Sequence, residues 1–73
     1  MITSRYIVRI YFSEQYILEY KMTAPTCTKA LKEGKKKATY ANDESDGWMG
    51  YITKAVVIRE STNKVLKTEE FSE

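Results

Sequence analysis

Apolar and polar residues alternate along the first third of the chain, which predicts β-strands. In SRYIVRIYF (4–12), every second residue would point to one side of a sheet: Tyr6, Val8, Ile10 and Phe12. The residues between them would point to the other side: Arg5, Ile7, Arg9 and Tyr11. A second alternating segment, YILEYKM (16–22), follows the short polar stretch SEQ (13–15), so the two strands are expected to form an antiparallel hairpin.

Beyond TAPT (23–26) the apolar spacing changes to three and four residues, which predicts a helix to about residue 41. Thr23 or Thr26 is expected to cap the start of this helix, and Pro25 suits the approach to it. One stripe of the helix holds the small and apolar residues Cys27, Ala30, Leu31, Gly34, Ala38 and Ala41. A glycine inside a helix costs roughly 1 kcal/mol relative to alanine. Gly34 therefore predicts that the helix backbone lies very close to the sheet.

The second half of the chain predicts a helix end and another hairpin. NDESDG (42–47) should end the helix, with Asn42 and Gly47 at positive φ. WMGYITKAVVIRE (48–60) predicts a long strand with a bend or bulge at Gly50. STNK (61–64) predicts a turn with Asn63 in the left-handed conformation, and VLKTEEF (65–71) predicts the last strand. The final two residues are expected to fray.

The element order β-β-α-β-β predicts an α+β fold, in one domain spanning residues 1–73. The sheet would be four-stranded and mainly antiparallel, with the helix packed on one face. Three strand orders fit this pattern. In the β-grasp order, the first and last strands pair in parallel at the centre of the sheet; the others are a meander and a split order.

The composition argues against catalysis. The chain has no histidine and one cysteine, Cys27, so it lacks the commonest general base, the commonest transition-metal ligand and an internal disulfide. No nucleophile–base constellation is recognisable. The acidic NDESD stretch lacks the ligand spacing of a calcium loop, and EGKKK lacks the spacing of a phosphate-binding loop. We therefore expect neither an enzyme nor a bound cofactor or metal.

The apolar segments are too short for a membrane span, which needs about 20 residues. The N-terminal segment also lacks the apolar region of a secretory signal. With a single cysteine, these features favour a cytoplasmic protein, with no membrane partner.

The predicted helix carries its charge on the face opposite the small-residue stripe. That face holds Lys29, Lys32, Glu33, Lys36 and Tyr40, and the flanks hold Lys35 and Lys37. One interpretation is the solvated face of an amphipathic helix. The other is a basic ridge that meets an acidic protein surface or a few phosphates. The second draws support from the segregation of charge, because most acidic residues lie in 43–46 and 69–73.

Two further surfaces are candidates for partner binding. The sheet face away from the helix would present Arg5, Arg9 and Tyr11, residue types that are common at binding hot spots. That face could also be a plain solvated sheet, a platform for stacked bases or a homodimer interface. Trp48 is expected to be a core residue or, if exposed, a hot spot.

Three segments carry a resemblance to a known group of proteins: the KALKEGKKKATYA helix, the acidic Gly-Trp link and the hairpin YITKAVVIRE-STNK-VLKTEEF. Together they resemble the small phage-encoded α/β proteins of the anti-CRISPR inhibitor type. This resemblance implies a non-enzymatic inhibitor that docks on a host protein or nucleoprotein complex and occludes it. The partner-binding candidates are Lys29, Lys32, Lys36, Tyr40, Arg5, Arg9, Tyr11 and Trp48. The alternatives are direct nucleic-acid binding through the lysines and a structural homo-oligomer assembled through the open sheet face.

Overall fold

The computed structural model describes residues 2–71, so the expected fraying of residues 72–73 lies outside it. The elements are strand β1 (Ser4–Phe12), strand β2 (Ile17–Ala24), helix α1 (Cys27–Glu44), strand β3 (Ile52–Arg59) and strand β4 (Lys64–Glu70). They form one four-stranded antiparallel sheet with one helix, which confirms the predicted α+β class and element order.

The strand order is β2-β1-β3-β4, with β1 antiparallel to both of its neighbours. Strands β2 and β3 therefore run parallel to each other on either side of β1. The chain must return along the full length of the sheet between them, and α1 makes that return. This is a split order. The β-grasp pairing does not form, because β1 pairs with β3 and the last strand lies at an edge.

The core lies between the sheet and α1. The predicted inward residues of β1 are all buried, and Val8 and Ile10 are completely inaccessible. Opposite them lie the small residues Ala30 and Ala38, also inaccessible to solvent. A Cβ added at Gly34 would lie 2.5 Å from Val8 Cγ1. This confirms the predicted close approach of helix and sheet, since no side chain larger than hydrogen fits there.

The helix begins as predicted and ends later than predicted. The backbone N–H of Lys29 donates to Thr26 Oγ1 at 3.2 Å, which identifies Thr26 as the N-cap. The helix continues to Glu44, and Asn42 has helical rather than positive φ. Tertiary hydrogen bonds of the Asn42 side chain favour this extension. The left-handed residues that follow are Asp46 and Gly47.

The third strand is shorter than predicted and starts at Ile52, because residues 48–51 fold against the β1–β2 turn. The N–H of Ser13 donates to the Tyr51 carbonyl at 2.8 Å, and the N–H of Tyr51 donates back to Ser13 Oγ at 3.1 Å. Gly50 takes φ +88°, in agreement with the predicted bend. Strand β1 has the predicted limits, and the limits of β2 and β4 and the end of β3 differ from prediction by one or two residues. Asn63 has the predicted left-handed φ of 58°.

Candidate partner-binding surfaces

The lysine ridge, defined here as Lys29, Lys32 and Lys36, lies on the solvent side of α1. All three side chains are exposed, and Tyr40 extends the same face with 67% of its surface accessible. These four predicted site residues therefore form one continuous surface. They share a face because the small-residue stripe on the opposite side of the helix packs on the sheet.

The ridge lysines have no carboxylate partner among residues 2–71. The ion pairs within 4.0 Å in this part of the chain are Arg5–Glu60 and Arg9–Glu19. Glu33 lies on the same helix face as the ridge but forms no such pair. The positive charge of the ridge is therefore directed to solvent or to a partner.

The charges of α1 oppose its own dipole at both ends. A helix favours acidic side chains in its first turn and basic side chains in its last turn. This helix has no acidic residue in the first turn and no basic residue in the last. Lys29 lies in the first turn, and Asp43 and Glu44 lie in the last. The positive helix terminus and the lysine ridge thus reinforce each other.

A groove of about 410 Å³ separates α1 from strand β2. It is lined by Tyr20, Glu33, Lys36, Lys37 and Tyr40. Tyr20 comes from the helix-side face of β2, where burial raises the pKa of its phenol. Tyr20 is not among the predicted site residues, because its partial exposure depends on where the helix crosses the sheet.

The predicted sheet residues Arg5, Arg9 and Tyr11 lie on the opposite side of the sheet from the ridge, so the two groups cannot form one site. Each of the three also has an internal partner. Arg9 Nε donates to Glu19 Oε2 at 2.6 Å, and this hydrogen bond raises the pKa of Arg9. Arg5 Nε lies 3.6 Å from a Glu60 oxygen, and the Tyr11 ring lies 4.8 Å from the ammonium of Lys54.

The same sheet face carries a small apolar cluster of Ile7, Val56 and Ile58, against which Tyr11 packs. These three aliphatic side chains are less than a tenth exposed. The face therefore covers much of its own apolar surface without a second layer.

Trp48 is exposed, so the expectation of a core tryptophan is wrong. It leaves 52% of its surface accessible and packs edge-on against Tyr16, with ring centroids 4.3 Å apart and planes at 78°. Its position follows from the segment 48–51, which folds over the β1–β2 turn instead of entering the sheet. Trp48 follows the acidic C-terminal end of α1, whereas Lys29 lies in the first turn of that helix.

Among residues 2–71, no group of three metal-ligating side chains is placed to hold an ion, and no helix there is long and apolar enough to cross a membrane. Comparison of the chain with protein families, with curated proteins and with solved structures gives no match. Function is therefore inferred from the charge and geometry of the surfaces described above.

Proposed function

We propose that this protein is a small non-enzymatic binding protein that docks its lysine ridge on an acidic face of a larger host protein or nucleoprotein complex. Binding would block the partner by occlusion and by electrostatic complementarity. The observation that carries the proposal is the ridge itself, whose exposed lysines lack carboxylate partners among residues 2–71. Complementary charge of this kind steers association and selects the partner.

The stability cost of the ridge supports a functional role. A charge that opposes the helix dipole typically costs 0.3–1 kcal/mol, and unfavourable charges lie at both ends of α1. Further acidic residues at i and i+4 positions, in addition to Glu33, would keep the helix soluble and make it more stable. Proteins tend to break such local rules where function requires it.

The surroundings of the ridge favour a protein partner over bare phosphates. Lys29 and Lys36 are seven residues apart, which corresponds to roughly 10 Å along the helix and spans few phosphates. Tyr40 and the groove beside it add an aromatic and apolar surface to the lysines. Protein interfaces combine an aromatic or apolar centre with a charged rim.

The resemblance to anti-CRISPR-type inhibitors gives this proposal its more specific form. In that form the partner is a bacterial nuclease complex, and the protein acts in the cytoplasm of the host cell. The fold is suited to this mode of action, because it presents the ridge on a rigid helix that packs on a sheet.

The experiment compares two charge-matched variants in a pull-down from nuclease-treated bacterial lysate. The ridge variant combines Lys32→Glu with Lys36→Glu. The control combines Arg59→Glu with Lys64→Glu, an exposed like-charged pair that faces each other across β3 and β4. We expect wild type and control to retain one stoichiometric protein and the ridge variant to lose it. Titration with that purified protein should then show at least a tenfold weaker Kd for the ridge variant.

Two results would contradict the proposal. Equal loss of binding in both variants would mean that only net charge matters. Loss of all bound material on nuclease treatment, with affinity falling steeply and linearly in log salt, would assign the lysines to nucleic acid instead.

A further inference from the structure

Strand β2 has a free edge whose outward backbone groups can be identified. The N–H of Phe12 donates to the Tyr16 carbonyl at 2.8 Å. Hydrogen-bonded pairs recur every second residue in an antiparallel ladder. Leu18, Tyr20 and Met22 therefore direct their N–H and C=O groups toward β1. The residues that alternate with these three direct their N–H and C=O groups away from β1, toward the open edge: Ile17, Glu19, Lys21 and Thr23.

The two edges of the sheet differ in protection. Strand β4 has a register shift opposite Val57 and Ile58, which leaves Leu66 without a pairing partner. Such bulges discourage the addition of another strand. Strand β2 keeps one continuous register along its whole length, and proline appears only at position 25, after the strand has ended. Among the described residues, β2 pairs only with β1, so its outer edge can accept a further strand.

The sequence of β2 is self-complementary about Tyr20. In ILEYKMT (17–23), Glu19 and Lys21 flank this tyrosine, and Leu18 and Met22 flank them in turn. If two copies pair antiparallel with Tyr20 opposite Tyr20, Glu19 of each lies opposite Lys21 of the other. A shift of two residues would instead place Glu19 opposite Glu19 or Lys21 opposite Lys21. Like charges directly opposite each other destabilise a sheet, so one register is selected.

We propose that the protein forms a two-fold homodimer through strand β2, with Tyr20 on the axis and a continuous eight-stranded antiparallel sheet. The outward groups of each β2 would supply about eight backbone hydrogen bonds between the copies. Glu19, already bound to Arg9, would gain Lys21 of the second copy as another cationic neighbour. Leu18, Tyr20 and Met22, which are half-buried in one copy, would lose further exposure.

The helices permit this arrangement. Helix α1 packs across β1, β2 and β3, with β1 beneath its middle. Three strand spacings then separate the two helices of the dimer, about 14 Å in total. Directly packed helices lie 8–10 Å apart, so the helices would not collide. The groove lined by Tyr20, Lys36 and Tyr40 borders β2, so in the dimer it would face the cleft between the two helices. Self-association is measured without the binding partner, so the dimer can fail without refuting the proposed function, and the reverse also holds.

Disulfide trapping tests the register. Tyr20 and its symmetry mate would form a non-hydrogen-bonded pair with Cα atoms about 4.5 Å apart, within the range of a disulfide. In a Cys27→Ala background, Tyr20→Cys should cross-link under mild oxidation to twice the 8.5 kDa chain mass. Thr23→Cys is the matched control. Its symmetry mate would lie roughly 20 Å away along the strand, so this variant should remain a monomer on a non-reducing gel.

Light scattering over a range of concentrations tests the dimer without cysteine substitution. Wild type should approach twice the chain mass, and Lys21→Glu should raise the dissociation constant at least tenfold because it places two carboxylates opposite each other. Lys64→Glu makes the same charge change on β4 and should leave the dimer unchanged. Each of three results would overturn the proposal. They are a wild type that stays monomeric, equal cross-linking of the two cysteine variants, and a dimer whose dissociation constant does not change with Lys21→Glu.

Discussion

Substitution of Gly34 by alanine tests the close approach of helix to sheet. The position lies in the middle of α1, and on propensity alone alanine would stabilise the helix by roughly 1 kcal/mol. In the folded protein the new methyl group would lie 2.5 Å from Val8 Cγ1 and 2.9 Å from Val8 Cβ. Rotation of the valine could relieve the first contact but not the second, because Cβ does not move with χ1.

The expected result follows from these two opposing effects. Carbon atoms in contact prefer a separation of about 3.5–4.0 Å, so α1 would have to move away from the sheet by about an ångström. Overpacking of this kind costs typically 1–3 kcal/mol, and the upper end applies because Val8 is completely buried. After subtraction of the propensity gain, Gly34→Ala should lower the free energy of unfolding by about 2 kcal/mol.

Urea denaturation followed by circular dichroism measures this change, and thermal melting should show a Tm lower by about 8–16 °C. The matched experiment repeats Gly34→Ala in a Val8→Ala background, where the contact with Cγ1 is removed but the contact with Cβ at 2.9 Å remains, so the penalty should shrink only in part. An alanine variant that is more stable than wild type would refute the packing argument, because the propensity gain would then be unopposed.

Three further substitutions test other parts of the structure. Lys29→Glu should raise the free energy of unfolding by about 0.5–1 kcal/mol in thermal melts, because it completes a capping box and complements the helix dipole. The same substitution should weaken partner binding. Asn42→Ala should lower that free energy by about 2 kcal/mol in urea, since the buried Met49 N–H loses its acceptor at 3.1 Å and the Gly50 carbonyl loses its donor. Gly50→Ala should accelerate amide exchange at Ser13, because a Cβ there would overlap Ser13 Oγ at a backbone with positive φ.

The asparagine at position 42 shows the limit of reading a helix end from local composition. NDESDG has the residues of a terminating loop, and Gly47 takes the expected left-handed conformation. Asn42, however, is buried, and its side chain bonds to both Met49 and Gly50. Those bonds tie the last helical turn to the segment before β3. A tertiary contact thus outweighs the weak helix propensity of asparagine.

The candidate site was predicted in part. The ridge residues Lys29, Lys32 and Lys36 follow from helical periodicity once the small-residue stripe is known to face the sheet, and the structure places them together with Tyr40. The contribution of Tyr20 to the adjacent groove could not be predicted, because its exposure depends on where the helix crosses the sheet. The exposure of Trp48 depends likewise on the path of residues 48–51.

The sequence by itself determined the features that arise from local periodicity and from single-residue stereochemistry. These are the number and order of the elements, the inward face of β1, a threonine cap at position 23 or 26, the need for glycine at position 34 and the left-handed turn at Asn63. Each depends on residues within a few positions of one another, or on which face of one element is apolar.

Only the tertiary structure decided the strand order, the late end of α1 and the separation of the predicted binding residues onto different surfaces. The alternation within a strand is the same whichever neighbour the strand has, so periodicity cannot choose among pairings distant in sequence. The free edge of β2 follows from the same cause. Strand β2 lies at the edge because α1 carries the chain across β1, so that β3 pairs with the side of β1 opposite β2.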